Sequence, residues 1–212
     1  MAKILITSGP TRQYLDPVRY LTNASSGRMG SALASAALEL GHQVWIVSGP
    51  VGIAYPTDAQ VAWVDTTDQM LQQVQQWFPQ MDGLIGAAAP CDYMPMQVSP
   101  QKIAKSGQPL ELKLIETPDI VATVAATKQP HQWVIGFALE TEDQRFRATV
   151  KMQRKLCDMM VSNDASAINA TENSVEILGR EGRLLQSMSG SKLEVARAIL
   201  QAAQQELIRE PR

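Results

Sequence analysis

The order of apolar segments along the chain predicts an α/β protein with a mostly parallel sheet that helices cover on both faces. Short apolar runs, typical of buried strands, alternate with longer segments in which apolar residues recur at helical spacing. Parallel strands need a crossover connection, usually a helix, so this alternation indicates a parallel sheet. The 212 residues, of which 45% are hydrophobic and 19% charged, suit one compact folded domain.

Each predicted element follows from a local pattern. Apolar runs predict strands at 3–7, 43–48, 61–64, 82–89, 133–137 and 158–162, and a terminal hairpin at 175–178 and 183–188. Periodic segments predict helices at 27–40, 67–78, 117–128, 141–155 and 189–208. Gly41 would end the first helix. Thr66 or Thr67 would cap the second, and Thr117 would cap the third, with Pro118 at its first position.

The alternation breaks between Pro90 and Lys113. This segment has no long periodic stretch and contains Pro90, Pro95, Pro100 and Pro109. We expect an extended loop there, with short strands near 110–114. An insertion of this length in a compact domain is usually functional or disordered.

Composition argues against several classes of protein. The net charge of −2 gives no sign of non-specific nucleic-acid binding, and no apolar run approaches the roughly 20 residues of a membrane span. Met1-Ala2-Lys3 runs directly into the first strand, which leaves no room for a signal peptide. The two histidines and two cysteines are scattered and form no zinc pattern. These features predict a cytoplasmic protein; a secreted domain with one disulfide is the alternative.

Small residues, hydroxyls and amides follow the predicted strands at their carboxyl ends, where open parallel sheets bind ligands. Examples are Ser8-Gly9-Pro10, Ala88-Ala89-Pro90 and Asn163-Asp164. This composition favours a phosphorylated ligand held by backbone N–H groups and short side chains. An NAD fingerprint is absent, because the first strand–helix turn has about twenty residues and the second strand ends in Ser48 instead of an acid. A nicotinamide reductase is therefore an alternative on fold analogy alone.

Residues 6–30, ITSGPTRQYLDPVRYLTNASSGRMG, resemble the opening motif of phosphopantothenoylcysteine synthetases. These are ligases of coenzyme A biosynthesis, and the bacterial form is often fused to a flavin decarboxylase domain. The family motif has Glu and Lys where this chain has Gln13 and Arg28. Further motifs of the family follow in order at 87–93, 102–105, 117–121, 136–141 and 155–164. The decarboxylase half is absent, so we expect a stand-alone synthetase or an excised domain.

The resemblance implies a Rossmann-like, three-layer α/β/α synthetase domain over residues 1–212, with a flap at about 90–114. In this family, which is unrelated to ATP-grasp ligases, the carboxylate of 4'-phosphopantothenate attacks the α-phosphate of a nucleoside triphosphate and releases pyrophosphate. The amine of L-cysteine then attacks the acyl-nucleotidylate, releases the nucleotide monophosphate and forms an amide. Bacterial members use CTP through an acyl-cytidylate, many eukaryotic ones use ATP, and Mg²⁺ would bridge the triphosphate. A homodimer is implied, and a separate flavin-dependent decarboxylase is a candidate partner.

Site residues carry over from the family motifs position by position. Asn23 and Lys102 are implied to be catalytic, since a neutral amide can donate to a developing oxyanion and the lysine lies on the flap that closes over the charged intermediate. Nucleotide contacts are implied for Gly9, Ser25, Gly27, Gly30, Gly86, Ala87, Ala88, Asp92, Pro118, Asp119, Ile120, Val121, Phe137, Lys151, Lys155 and Asn163. Substrate contacts are implied for Asn23, Ala88, Ala89 and Lys102. No metal ligands are identified, although the Asp92 carboxylate could hold Mg²⁺.

Several of these positions also have a structural interpretation. The glycines could pack a helix onto the sheet, Asn23 could form an Asx turn, Phe137 could belong to the core, and the lysines could be solvated. Residues 16–19 are expected to shape the loop, and Cys91 has no histidine placed to activate it. Ala104 and the pair Pro90-Cys91 depart from the family pattern. They motivate a second hypothesis, a non-catalytic module that binds a nucleotide or an effector.

Overall fold

The computed structural model describes residues 1–140, 143–164 and 173–208. Within these ranges the strands are β1 (Lys3–Ser8), β2 (Arg12–Tyr14), β3 (Tyr20–Thr22), β4 (Gln43–Ser48), β5 (Gln60–Trp63), β6 (Gly83–Gly86), β7 (Tyr93–Pro95), β8 (Leu114–Glu116), β9 (Trp133–Glu140), β10 (Met159–Asp164), β11 (Asn173–Leu178) and β12 (Leu184–Gly190). The helices are α1 (Arg28–Glu39), α2 (Thr67–Trp77), α3 (Ile120–Ala125), α4 (Gln144–Arg154) and α5 (Lys192–Glu206), with single 3-10 turns at Phe78–Gln80 and Arg180–Gly182.

Eight strands form one sheet in the order β12-β11-β10-β9-β6-β1-β4-β5. All pairs from β10 to β5 are parallel, whereas β11 and β12 extend the sheet as antiparallel strands. The six parallel strands follow the doubly wound order, in which the direction of winding reverses between β1 and β6. The predicted α/β class with a mostly parallel sheet is confirmed. The reversal point marks the place where such sheets bind ligands.

Helices cover both faces of this sheet. One face packs Ile4, Ile6 and Ile135 against α1 and α5, and the other packs Leu5 and Leu84 against α2 and α3. Neighbouring residues of β1 thus enter opposite cores, which explains why the strand is an uninterrupted apolar run and not an alternating one. Helix α4 covers β10 on the second face. No helix of the described ranges combines the length and the apolar character that a membrane span requires.

The third predicted helix is shorter than its sequence pattern suggested. It begins at Ile120 and ends at Ala125, so the predicted start at Thr117 and end at 128 were wrong. Asp119 is the N-cap, and its carboxylate accepts from the Ala122 N–H at 3.0 Å. The Thr117 hydroxyl donates instead to the Cys91 carbonyl at 2.6 Å.

Other strands and helices also begin or end at residues that differ from the predicted ones. The fourth parallel strand ends at Gly86 and not at Ala89. Ser191 caps α5 in a capping box with Glu194, so the last helix begins at Lys192 and the residues before it belong to β12. Helix α4 begins at Gln144, and Thr141, where we predicted its start, lies outside the described residues.

Two small hairpins stand on the sheet edge at which the parallel strands end. The pair β2–β3 was not predicted. Of the pair β7–β8, β8 begins and ends later than the short strands expected near 110–114, and β7 was not predicted. Each strand has three residues, which is too short to give a periodic signal. The two hairpins contact each other through β2 and β7, so the first connection and the predicted loop insertion form one surface.

We predict that His42 makes stability depend on pH. Its Nδ1 accepts from the Ala2 N–H at 3.1 Å, and its buried Nε2 has no hydrogen-bond partner in the described part of the chain. Burial lowers the pKa of the imidazole from its ordinary value of 6.5. The unfolded chain therefore takes up this proton first, so the stability present above pH ~6.5 is lost as the pH falls through the window below it.

We expect the free energy of unfolding, measured by urea denaturation between about pH 7 and pH 5, to fall less steeply in His42→Gln than in the wild type. The matched control is His131→Gln, which removes the other histidine of the chain, an exposed one. An unchanged slope in His42→Gln would contradict the prediction.

Candidate functional site

The segments that follow β1 and β6 are joined at the reversal point of the sheet. Pro10 and Ala89 form a parallel bridge, and the Ala89 N–H donates to the Gly9 carbonyl at 2.9 Å. The Ala88 N–H donates to the Thr7 hydroxyl at 3.3 Å. Two sequence motifs separated by some eighty residues thus form one floor beyond the strand ends.

Asn23 connects the glycine-rich loop to this floor. Its side-chain amide donates to the Pro90 carbonyl at 2.9 Å and to the Ala89 carbonyl at 3.4 Å. These partners lie far along the chain, so the alternative of a local Asx turn is wrong; the local turn is made by the backbone, with the Ser25 N–H donating to the Asn23 carbonyl at 2.9 Å. The amide nitrogen is occupied by carbonyls, and the 3.4 Å contact is the weaker one that a substrate oxygen could replace.

The glycines of the loop bring α1 close to the end of β1. Gly27 is the N-cap of α1 at φ +73°, and no side chain caps this helix. A Cβ on Gly30 would lie 2.1 Å from the Ser8 Oγ, so only glycine permits this approach. The packing interpretation of these glycines is therefore correct. The first-turn N–H groups that it leaves uncapped also suit an anion.

A polar cluster supports this loop from below, and the motifs did not reveal it. The Tyr55 hydroxyl donates to the Ser8 Oγ at 2.8 Å and lies 2.7 Å from the Ser48 Oγ. The Ser8 hydroxyl donates to the Gly27 carbonyl at 3.2 Å. Tyr55 belongs to no motif of the resemblance, so only the fold places it under the loop.

Positive charge lies near the first turn of α1. Burial, followed by the charge of Arg28, lowers the pKa of the Lys192 amine. Lys192 begins α5, which packs against α1. The neighbouring cations and the uncapped helix both favour an anionic ligand. Lys192 was missed in the sequence because it belongs to no motif of the resemblance.

A cavity of about 440 Å³ opens next to this floor, between β6, β9 and α3. It brings together nine of the predicted nucleotide positions: Gly86, Ala88, Asp92, Pro118, Asp119, Ile120, Val121, Phe137 and Lys155. A Cβ on Gly86 would lie 2.5 Å from the Val121 Cγ2, so this glycine allows α3 to approach β6. Phe137 lines the cavity and also packs against the core, so its position suits both interpretations, a nucleotide contact and a core residue.

A larger cavity, of about 780 Å³, lies at the opposite edge of the sheet, beside Ala2, Asp82 and Trp133. These residues stand at or before the amino ends of β1, β6 and β9. No predicted site residue lines it. The position of the smaller cavity, at the carboxyl ends of the strands, agrees with the way doubly wound sheets bind ligands.

An aspartate already occupies the first turn of α3. Asp119 caps the helix with one carboxylate oxygen and contacts the Lys155 Nζ at 3.0 Å with the other. A carboxylate therefore already takes the position at this helix N-terminus that favours an anion. Lys155 also lines the cavity, and its ammonium group has further donors beyond the one that Asp119 uses.

A buried polar network fixes the segment that carries Asp92. The Cys91 N–H donates to the Thr11 hydroxyl at 2.9 Å, which lies 2.8 Å from the Thr67 hydroxyl. The Gln13 amide donates to the same Thr67 hydroxyl at 2.8 Å. Asp92 itself is exposed at the rim of the cavity. The network thus holds Cys91 as part of the framework and leaves the next carboxylate free to face a ligand.

Backbone donors are scarce in this segment. The Ala87 N–H donates to the Ile85 carbonyl at 3.1 Å, and those of Ala88, Ala89 and Cys91 have the internal partners given above. Because these four N–H groups have internal partners, the exposed Asp92 side chain is the polar group of this segment that faces the cavity.

The remaining predicted residues lie outside the cavity. Lys102 is exposed on the insertion, and Lys151 is half-buried on α4, one turn before Lys155. Asn163 lies near the end of β10, where its buried Oδ1 and the neighbouring Ser162 Oγ have no hydrogen-bond partner among the described residues. Gly9, Ser25, Gly27 and Gly30 lie in the loop around the start of α1. The site therefore has two parts, the cavity and the glycine loop, joined through Asn23.

The chain is similar to known proteins over nearly its whole length. The model of the family described as DNA/pantothenate metabolism flavoprotein C-terminal domain matches residues 1–207. The coenzyme A biosynthesis bifunctional protein CoaBC of Escherichia coli strain K12 is 41% identical over 186 residues, which are 84% of this chain and 46% of that protein. The protein of the same name from Bacillus subtilis strain 168 is 37% identical over 203 residues, 93% of this chain and 50% of that protein.

The chain thus spans about half the length of the curated relatives it matches. A crystal structure of the C-terminal domain of a coenzyme A biosynthesis bifunctional protein CoaBC is also similar. It is 35% identical, with a TM-score of 0.83, and the match covers 96% of this chain and 94% of that one. The α/β architecture is therefore shared with that domain.

We predict that the two roles of Asp119 can be separated by substitution. Asp119→Ala removes the cap of α3 and should lower the free energy of unfolding by about 1 kcal/mol. Asp119→Asn keeps an N-cap and loses only the partly exposed pair with Lys155, so its cost should be about half that or less. Equilibrium urea denaturation measures both variants. Equal losses in the two would show that the ion pair, and not the cap, stabilises this helix.

Proposed function

Since this chain belongs to the DNA/pantothenate metabolism flavoprotein C-terminal domain family, we propose that it is a phosphopantothenate–cysteine ligase of coenzyme A biosynthesis. The observation that carries the proposal is the assembly of nine positions, chosen from the sequence as nucleotide contacts, around one cavity. Asn23 lies between that cavity and the uncapped start of α1. A nucleotide and an acyl substrate would need to meet at such a junction.

The reaction joins a carboxylate to a phosphate and then to an amine. A carboxylate oxygen of 4'-phosphopantothenate forms a bond to the α-phosphorus of the nucleotide, and the bond to pyrophosphate breaks. The amine of cysteine then bonds to the acyl carbon, loses a proton to solvent and expels the nucleotide monophosphate. Both reactants of the first step are anions. Positioning of the reactants and positive charge in the site therefore contribute more to the rate of this step than proton transfer does.

The chain offers positive electrostatics for that step at three places. The first turn of α1 is uncapped, and Arg28 and Lys192 lie near it. Lys155 reaches the cavity from the end of α4. Lys102 is one of three lysines of the insertion, which would act as a flap that excludes water from the hydrolysable intermediate.

CTP is the proposed nucleotide, because the relatives with matching motifs are bacterial. Mg²⁺ would arrive with the triphosphate and neutralise its oxygens, as this ion commonly does with one or two carboxylates. The Asp92 carboxylate at the cavity rim has the right chemistry to contact such an ion or the ribose. In the described ranges no three side chains of His, Cys, Asp or Glu gather as a preformed metal site.

A homodimer is proposed from the surface of the two hairpins. Exposed apolar side chains gather on β2–β3, β7–β8 and the insertion between them: Val18, Tyr20, Tyr93, Met96, Val98, Leu110, Leu112, Leu114 and Ile115. Large exposed apolar patches of this kind usually mark a binding surface. A second copy would cover the patch at the edge where the site lies.

The decisive experiment measures both half-reactions on the purified protein. Pyrophosphate release should depend on 4'-phosphopantothenate, and release of the nucleotide monophosphate should depend on cysteine, with CTP and ATP compared side by side. Cysteine-independent pyrophosphate release alone would indicate a protein that only activates its substrate. Nucleotide binding without either release would favour the non-catalytic module.

Asn23→Asp tests the junction of the two parts of the site. The variant replaces an amide donor by a carboxylate that faces the carbonyls of Ala89 and Pro90, so we expect amide formation to fall by about a hundredfold or more. Product formation is measured by the appearance of phosphopantothenoylcysteine. Gln75→Glu, which adds the same charge on the exposed face of α2, is the control. Wild-type product formation in Asn23→Asp would disprove the role.

The proposed dimer predicts a mass of twice 23.2 kDa in sedimentation equilibrium. Val98→Asp puts a charge into the hairpin patch and should yield monomers, since burying an unpaired charge is costly. Phe146→Asp changes an exposed apolar residue of α4, away from the hairpins. Dissociation by Phe146→Asp and not by Val98→Asp would place the interface elsewhere.

A further inference from the structure

Asp16 is a buried carboxylate for which the proposed reaction gives no direct role. Its side chain is 0% exposed. One oxygen accepts from the N–H groups of Val18 and Arg19, both at 2.8 Å. The other accepts from the Arg19 guanidinium at 3.0 Å and from the N–H of Ile103 at 3.1 Å.

Two of these four contacts are local and two are not. The bonds to Val18 and Arg19 N–H form an Asx turn, which explains an aspartate before a proline without any further function. The bond to Ile103 crosses 87 positions of sequence to the insertion. An Asx turn uses one oxygen and does not require that contact.

Arg19 makes the second hydrogen bond to the backbone of Ile103. The nitrogen that contacts Asp16 also donates to the Ile103 carbonyl at 2.9 Å. Both polar backbone groups of Ile103 are therefore bonded to the same Asp16–Arg19 pair. Nearby, the Ser99 N–H donates to the Leu15 carbonyl at 2.9 Å. The insertion is fastened to the first connection at Ser99 and at Ile103.

The fastening point is adjacent to Lys102. Ile103 is half-buried, whereas Lys102 and residues 104–116 are exposed. An exposed lysine loses much side-chain and backbone entropy when it must meet a ligand in one geometry. The bonds to the N–H and to the carbonyl of Ile103 hold the residue next to Lys102 in place. Part of the entropy cost of ordering Lys102 is therefore met before the ligand binds.

The charge of Asp16 is maintained by its surroundings. Burial by itself would raise the pKa of this carboxyl, but the N–H groups of Ile103, Val18 and Arg19 and the charge of the guanidinium together lower it. An ionised acceptor makes shorter and stronger hydrogen bonds than a neutral one. The bond to Ile103 is therefore charge-assisted.

We propose that Asp16 is a positioning residue that, through Arg19 and the backbone of Ile103, sets the location of Lys102 over the reacting groups. The proposal rests on the ligase function proposed above. Without the Asp16 contact the flap would dock less often, and water would reach the acyl-nucleotidylate before cysteine does. The characteristic result is uncoupling, in which nucleotide is consumed without amide formation.

Two variants of Asp16 test this on the full chain. Asp16→Asn removes the charge. Asp16→Ser retains an acceptor for the local turn but lacks the second oxygen that Ile103 needs. In both we expect faster hydrogen exchange at the Ile103 amide and a ratio of CMP released to amide formed that is raised by roughly tenfold. Asp58→Asn, an exposed aspartate outside the site, should leave both measurements at the wild-type value.

A double-mutant cycle with Lys102→Ala identifies the route of the effect. If Asp16 acts through Lys102, the substitutions at Asp16 should change the ratio of CMP to amide little in the Lys102→Ala background. The proposal would be overturned if the Asp16 and Lys102 substitutions raised the ratio of CMP to amide independently, so that their effects multiplied in the double variant. It would also be overturned if Asp16→Ser showed faster hydrogen exchange at the Ile103 amide but kept the wild-type ratio. A variant that is merely less stable would lower both products together and leave their ratio unchanged, which also counts against it.

These outcomes are distinct from failure of the function itself. A wild-type protein without cysteine-dependent CMP release would overturn the ligase proposal, and with it the role of Lys102. An active wild type with a normal ratio in the Asp16 variants would overturn only the positioning role.

Discussion

The site depends on one contact, the junction of the chain segments that leave β1 and β6. The carboxyl ends of the parallel strands lie at one edge of the sheet, and at the winding reversal the helices that follow β1 and β6 lie on opposite faces. The backbone bridge between Pro10 and Ala89 joins the two chain segments at this point. The Asn23 side chain then joins the glycine loop to the segment that follows β6. Without this junction the cavity beside α3 and the start of α1 would be separate features.

The two helix starts at this edge differ in their electrostatics. Helix α1 begins at a glycine and has no side-chain cap, while α3 begins at an aspartate whose carboxylate fills its first turn. An anion therefore gains the helix dipole and free N–H groups at α1, and meets a like charge at α3. For the nucleotide of the proposed ligase reaction, this difference favours phosphates toward α1 and the sugar and base on the α3 side.

Much of the fold and part of the site could be predicted from the sequence. Long apolar or periodic segments such as β1 and α1 carry enough residues for their pattern to be decisive. The hairpins β2–β3 and β7–β8 do not, because three residues show no period. Nine of the residues that the motifs predicted as nucleotide contacts lie around one cavity, and their role stays a prediction. Tyr55, Lys192 and the link from Asp16 to Ile103 could not be found, since each depends on contacts between distant parts of the chain.

The fastening at Ile103 also sets a timescale. Between Ile103 and the backbone bond that joins Met96 to Lys113, the unfastened part of the insertion has only about ten residues, and loops of that length close within roughly 10–100 ns. Typical enzyme turnovers take about 0.1 s. The insertion would have time to close many times in each cycle, so its contribution to catalysis would lie in the fraction of time that it is closed.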